Sequence, residues 1–361
     1  MKIIQILPTL TYGDAVGNDC LVIDSLLKER KLDTMIYAEN IGNRIPENCV
    51  KRFSEIENNT LSKDDVIIYH LSTGSKINEW LLQEKNARKI MIYHNITPPI
   101  FFAGYNNNAY NLCDYGLNQT KKLKDAFALV LADSEFNKQN LIEMGYSCDI
   151  KVLPILIPFD DYKKTPNKKI LEKYADDFTN ILFVGRIVPN KKQEDIISAF
   201  DFYQRNFNQK SRLFLVGNPD GYQNYDERLK NYVEKLGTKN VFFTGHTKFD
   251  EILAYYKLSD LFLCQSEHEG FCVPLVESMF FEKPIVAYDC CAVGETLGNG
   301  GIALKEKNPI ETACVMNRIL TDSVLREKII QNQNERLSDF EHGKIKNLFW
   351  NYMDEFLTEE R

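Results

Sequence analysis

The sequence contains no Cys-x-x-Cys pair. Its nine cysteines fall at irregular spacings, with Cys290 and Cys291 adjacent. Neither a zinc site nor a secreted disulfide framework follows from that pattern, and reduced, mostly buried thiols are expected. Long hydrophobic runs are also missing, since no stretch approaches the roughly 20 apolar residues of a membrane span. The N-terminal "MKIIQILPTL" is short, broken by Pro8 and followed by polar residues without a small-residue cleavage site. It reads as a first buried strand rather than an export signal, and a cytoplasmic protein is expected. Basic charge is not in excess: the net charge of -7 argues against general nucleic-acid binding, which needs a basic footprint. No low-complexity tract or fixed-period repeat interrupts the chain.

What is present is an ordinary globular composition, 44% hydrophobic and 26% charged. The 361 residues are too many for one ordinary core and suit two domains of roughly 150–180 residues. Short apolar runs alternate with amphipathic stretches. In the first half they are "KIIQIL", "TMIYA", "VIIYH", "KIMIYH" and "FALVLA"; in the second, "NILFVG", "RLFLVG", "NVFFTG", "DLFLC", "PIVAY" and "GIAL". Such alternation indicates α/β domains with parallel sheets covered on both faces. The pattern pauses at "PILIPFDDYKKTPNKK", read as a linker. This gives a first domain over residues 1–160, a second over 161–342, and a final helix over about 343–361 that packs back on the first. In open parallel sheets, ligands bind beyond the carboxyl ends of the strands.

The chemistry-bearing residues lie at those ends. In "FVGRIVPNKKQED", Gly185 lets the backbone turn off a strand. Arg186 offers a planar fork for phosphate oxygens, and Lys191 adds a point charge at a helix start that favours anions. Asn190 and Lys192 read as surface residues. In "HEGFCVPLVES", Gly270 permits close approach of a ligand, and Pro274 suits the first turn of a helix. The amides around Phe271 and Cys272 are candidate donors, and Glu277 is placed to accept from a ribose diol. His268 and Cys272 supply two metal-type ligands without a third, which does not make a site. Asp64 and Asp65 read as turn caps, Ser134 and Asn18 as helix N-caps. His70 and His94 stand at strand ends, where a structural role competes with a functional one.

Two glutamates separated by seven residues, with Gly-Phe after the first, resemble the signature of retaining glycosyltransferase family 4, of the GT-B fold. The Gly-Arg-x4-Lys element, "FFTGHTKFDEILAYYKLSDLFLCQSEHEGF", "VESMFFEKPIVAYD" and "GETLGNGGIAL" resemble the same family in order and spacing. The first half matches more loosely, through "TYGDAVGND", "IYHNITPP" and "LADSEFNKQNL". The resemblance implies two doubly wound Rossmann-like domains facing across a cleft. It implies that Arg186 and Lys191 hold the diphosphate of a nucleotide sugar and Glu277 its ribose. Glu269, with the amides of Gly270, Phe271 and Cys272, would hold the donor sugar, and the turn Gly245, His246, Thr247 the base. Gly217 is a further donor-side position. Gly13 would approach the phosphates or sugar; Asp14 stands where many relatives have a second glycine. His94 would set its ring near the sugar's distal hydroxyl and its carbonyl near the anomeric centre.

The implied reaction is transfer of a hexose with retention, without metal or other cofactor, because the cations and a helix dipole already neutralise the leaving diphosphate. The loop sequences lean towards GDP-mannose, with a UDP-hexose next. A glycan, a lipid-linked sugar or a protein is the implied acceptor. Peripheral membrane contact is open to "TKKLKDAF", as is a plain solvated helix end. Alternatives are a nucleotide-sugar epimerase or a phosphorylase on the same fold, or a non-catalytic two-domain sugar-binding protein. Release of nucleoside diphosphate separates them.

Overall fold

The computed structural model describes residues 1–57 and 61–358. The chain forms two compact units. One comprises Met1–Ile100, Asn108–Pro158 and Phe340–Arg361, and the other Phe101–Asn107 and Phe159–Asp339. Past Pro158 the chain enters the second unit, which it leaves after Asp339. The assignment of Phe101–Asn107 to the second unit had no sequence signal.

The first unit holds seven strands: β1 (Ile3–Leu10), β2 (Thr34–Ile41), β3 (Val50–Arg52), β4 (Val66–Leu71), β5 (Arg88–Tyr93), β6 (Leu129–Ala132) and β7 (Asp149–Val152). Their order is β3-β2-β1-β4-β5-β6-β7 and every pairing is parallel. The second unit holds β8 (Thr179–Val184), β9 (Ser211–Val216), β10 (Val241–Phe243), β11 (Leu261–Cys264), β12 (Ile285–Tyr288) and β13 (Ile302–Leu304). These run β10-β9-β8-β11-β12-β13, again all parallel. Central strands such as β4 and β9 are buried at every residue, as a sheet with helices on both faces requires. This is the GT-B type of α/β fold.

In both sheets the strand order reverses, between β1 and β4 and between β8 and β11. Such switch points leave a crevice at the carboxyl ends of the strands. They put the loops after β1, β8 and β11, which carry Gly13, Arg186 and Glu269, where a ligand can enter.

The helix His342–Thr358 belongs to the first unit. Ile345, Phe349, Trp350, Met353 and Phe356 share a core cluster with Ile3, Ile23, Ile90 and Leu129. The helix read from sequence extended to 361; residues 359–361 lie outside the described residues.

Candidate functional site

In the second unit, three glycines after consecutive strands meet. A β-carbon on Gly217 would lie 1.8 Å from the carbonyl oxygen of Gly185, so two backbones cross where no side chain fits. Gly217 also bridges Gly245, whose φ of 67° is left-handed. The ends of β8, β9 and β10 are thereby held together. His246 is exposed beside them, and Thr247 Oγ1 donates to the Gly245 carbonyl at 3.0 Å.

Lys191 was expected to open a helix. It instead ends a short 3-10 turn, Pro189–Lys191, and the helix begins at Gln193. The reason is Lys192, whose left-handed backbone (φ 51°) breaks the run. From that turn the Lys191 ammonium donates to both oxygens of Glu269, at 2.5 and 2.6 Å. The pair is nearly enclosed, with side chains 18% and 9% exposed. Burial works against the lysine charge, but Glu269 outweighs it and holds the ammonium above the ordinary lysine range. Arg186, on the turn after β8, is exposed and, among the described residues, its guanidinium makes no ion pair.

Asn190 is not a surface residue. It is 4% exposed; its side-chain amide donates to the His268 carbonyl at 3.1 Å and its carbonyl accepts from Glu267 N at 2.8 Å. It pins the lysine turn to the glutamate loop, a role invisible in a polar run between a proline and two lysines.

The helix Val273–Phe280 starts at Cys272, which takes a left-handed φ of 73°. Glu277 lies one turn in. Its two oxygens accept from Tyr162 Oη at 2.8 Å and Tyr256 Oη at 2.6 Å. Burial pushes the Glu277 carboxyl up, against the pull of these two hydroxyls. Sequence reading missed both tyrosines, which come from the linker and from the helix Phe249–Leu258.

In the first unit, Gly13 has φ 85° in an exposed turn. Asp14, not Asn18, is the N-cap of the helix Ala15–Glu29, accepting from Gly17 N at 3.4 Å. Asn18 Oδ1 reaches back to Gly13 N at 3.4 Å. Ser134 caps Glu135–Glu143, and Asp65 accepts from Ser62 N, as turn and cap readings require.

His94 departs from the expected arrangement. Its side chain is 1% exposed, with Nδ1 at 2.9 Å from Asp133 Oδ2 and Nε2 at 3.0 Å from His70 Nδ1. His70 Nε2 meets Gln5 Oε1 at 3.0 Å. Both ring nitrogens of His94 therefore serve the protein, and what the residue exposes is backbone. The outer nitrogens face acceptors and so carry protons, which leaves two lone pairs opposed unless the inner contact holds a further proton. The rings are coplanar within 4°, an in-line geometry that suits N–H···N. Burial opposes charge on His94, but Asp133 outweighs it and holds the imidazole above its ordinary range, while burial drives His70 well below.

Among the described residues, two clusters bring metal-ligand atoms together, Asp19–His70–His94 and Cys264–Glu269–Cys272. In the first, the coplanar nitrogens point at each other rather than converging on a third position, as bonds of about 2.0–2.1 Å to one ion demand. In the second, the Lys191 ammonium already occupies both Glu269 oxygens. Neither donor set fits a cation as arranged.

Asp19 accepts from Leu156 N at 2.9 Å. Burial lifts its carboxyl from 3.8 to about 7, with His94 opposing and Asp133 adding to the rise. Between those values the folded chain binds more protons than the unfolded one, so stability falls as pH rises through that window. Wild type is expected to lose about 3 kcal/mol more than Asp19→Asn between pH 5 and pH 8, at roughly 1.4 kcal/mol per unit. Urea unfolding of both proteins at the two pH values measures it; parallel losses would refute the assignment.

Residues 163–336 match the family model described as "Glycosyl transferases group 1". This segment, just under half of the chain, is similar to that family. The segment carries the Gly185–Arg186 turn, the Lys191–Glu269 pair and Glu277. Among curated proteins, the chain is 23% identical over 270 residues to a lipopolysaccharide 1,2-N-acetylglucosaminetransferase of Salmonella typhimurium, covering 72% of this chain and 64% of the relative. It is 24% identical over 252 residues to the serotype-specific mannosyltransferase WbdA of Escherichia coli, covering 67% and 30%. The chain thus spans less than two thirds of either relative. Among solved structures, a sucrose-phosphate synthase from Thermosynechococcus elongatus superposes with a TM-score of 0.79 at 14% identity, covering 100% of both chains. Anabaena HepE, solved in complex with UDP and glucose, gives 0.76 at 20% identity, covering 98% of this chain and 100% of its own. The chain described here shares their fold. Among its described residues no helix is long and apolar enough to cross a membrane.

Proposed function

We propose that this chain is a retaining group 1 glycosyltransferase that moves a hexose from a nucleoside-diphosphate sugar to a hydroxyl of a surface-polysaccharide precursor. GDP-mannose is the favoured donor, with a UDP-hexose next. The observation that carries the reading is the buried Lys191–Glu269 pair joining the loops after β8 and β11, with an exposed Arg186 on the first of these loops, at the switch point of the second sheet. Two cations at that point suit a diphosphate. A carboxylate has about four acceptor positions, so Glu269 can take sugar hydroxyls and Glu277 ribose hydroxyls without releasing their present partners. The mannose lean is supported by the relatives named mannosyltransferases; a UDP donor is supported by HepE.

As the bond from the anomeric carbon to the diphosphate breaks, negative charge grows on the phosphate oxygens. Arg186 and Lys191 are fixed before that happens, which is where electrostatic catalysis gains most. In a front-face course the departing oxygen helps remove the acceptor proton, so no carboxylate acts as nucleophile, unlike the paired acids of retaining glycosidases. The two cations and the helix mouth do the neutralising, and no metal is required.

Calorimetric titration with GDP, UDP and ADP in excess EDTA tests this. Saturable binding of one nucleotide is expected, together with its release when the matching sugar donor is incubated with a polysaccharide precursor. Strict dependence on added Mg²⁺ or Mn²⁺ would contradict the metal-free course. No heat with any of the three would end the proposal.

A further inference from the structure

Cys290 and Cys291 follow β12, and neither is fully buried. Their sulfurs lie 3.5 Å apart. Both thiols donate to the carbonyl of Glu267, at 3.0 and 3.5 Å, and Cys291 Sγ is 3.7 Å from His268 Nδ1. Lys307 Nζ sits on Glu267 Oε1 at 2.9 Å and on Asp195 Oδ2 at 2.8 Å, bringing a cation to the same corner. The Cys291 thiol draws Cys290 down to about 7 against burial, with Lys307 assisting, and Cys291 itself is pushed up. Cys290 therefore gives up its proton more readily than an ordinary thiol, while its neighbour holds its own. That combination, partly exposed and beside a second sulfur, marks an oxidisable cysteine. Cys264 and Cys272 also lie close together, but both are buried, beyond the reach of a solute.

We propose that Cys290 and Cys291 form a modification site for hydroperoxides. The Cys290 thiolate attacks the O–O bond, takes one oxygen with its hydrogen as sulfenic acid and expels the other as hydroxide or alkoxide, which takes up the proton that Cys290 had lost and leaves as water or alcohol. The Cys291 sulfur then attacks the Cys290 sulfur, loses its proton and expels the second oxygen as water. Two thiols give up two electrons to one peroxide, and a disulfide results. Adjacent α-carbons are about 3.8 Å apart, below the roughly 4.4–6.8 Å of a relaxed bridge. The bond is strained, and strained disulfides are the readily reduced ones. Its formation removes both S–H donors from Glu267. It also acts next to the Ala292 N–H that donates to the Glu269 carbonyl at 3.3 Å, so oxidation reaches the glutamate loop.

The test treats the full chain with a small excess of hydrogen peroxide, alkylates, and maps peptides without reduction. The peptide holding Cys290 and Cys291 is expected two hydrogens lighter and unalkylated, and dithiothreitol restores both thiols. Cys291→Ser is expected to leave a sulfenic acid on Cys290 that dimedone traps. In oxidised wild type the Ala292 amide is expected to exchange hydrogen about fivefold faster, one hydrogen bond being weakened. Unchanged alkylation of both cysteines after peroxide overturns the proposal, as does bridging of either one to another cysteine. The wild-type map decides even if the serine variant folds poorly. No readout involves a nucleotide, so these results stand apart from the transferase reading.

Discussion

Lys191→Ala is expected to lower turnover at least about a hundredfold, since removing one preorganised charge contact typically costs about 2.7–4 kcal/mol in the transition state. It is also expected to destabilise the fold by about 3–5 kcal/mol, because Glu269 keeps its buried charge and loses the ammonium on both oxygens. The two losses separate. Adding Glu269→Gln removes the uncompensated charge, so the double variant regains stability but not activity. Arg186→Ala, at an exposed position, is expected to match the loss of turnover with an unchanged urea midpoint. Steady-state rates and unfolding curves on the same samples measure all three. Near-wild-type turnover in both single variants would remove the diphosphate assignment. Unaltered stability of Lys191→Ala would show that the pair is not held away from water.

His94→Ala is expected to cost about 3–5 kcal/mol, again by stranding a buried charge. Asp133, 2% exposed, would lose its one charged partner, and His70 Nδ1 would face a void. The effect should appear in the urea midpoint. A variant of normal stability with a raised donor KM would instead return the ring to a role at the ligand.

The strands were legible where burial on both faces demands continuous apolar residues. β3 and β7 were missed because each lies at an edge of its sheet, where one side is unpaired and "VKR" and "DIKV" suffice. The glycine positions were legible because backbone crossings and left-handed turns leave few alternatives to glycine. Cys272 escaped the same reasoning: it takes a left-handed φ without being glycine, and nothing in "EGFCVP" announces that. Lys191 and Glu269 were each identified, but not as partners, since residues 78 positions apart meet only through the switch point. Tyr162, Tyr256 and Asn190 were missed for a related reason. A polar side chain's partner is decided by which helix or turn packs opposite, and no local period encodes that.

The helix His342–Thr358 has a consequence for biosynthesis. Its apolar face completes the same cluster as Ile3 and Ile23, so that cluster lacks its cover until residues 342–358 have been made. The second unit, encoded in between, has its strands and helices by Asp339 and can fold while the ribosome is still at work. The first unit must wait, with part of its apolar surface open to chaperones, for this helix to emerge.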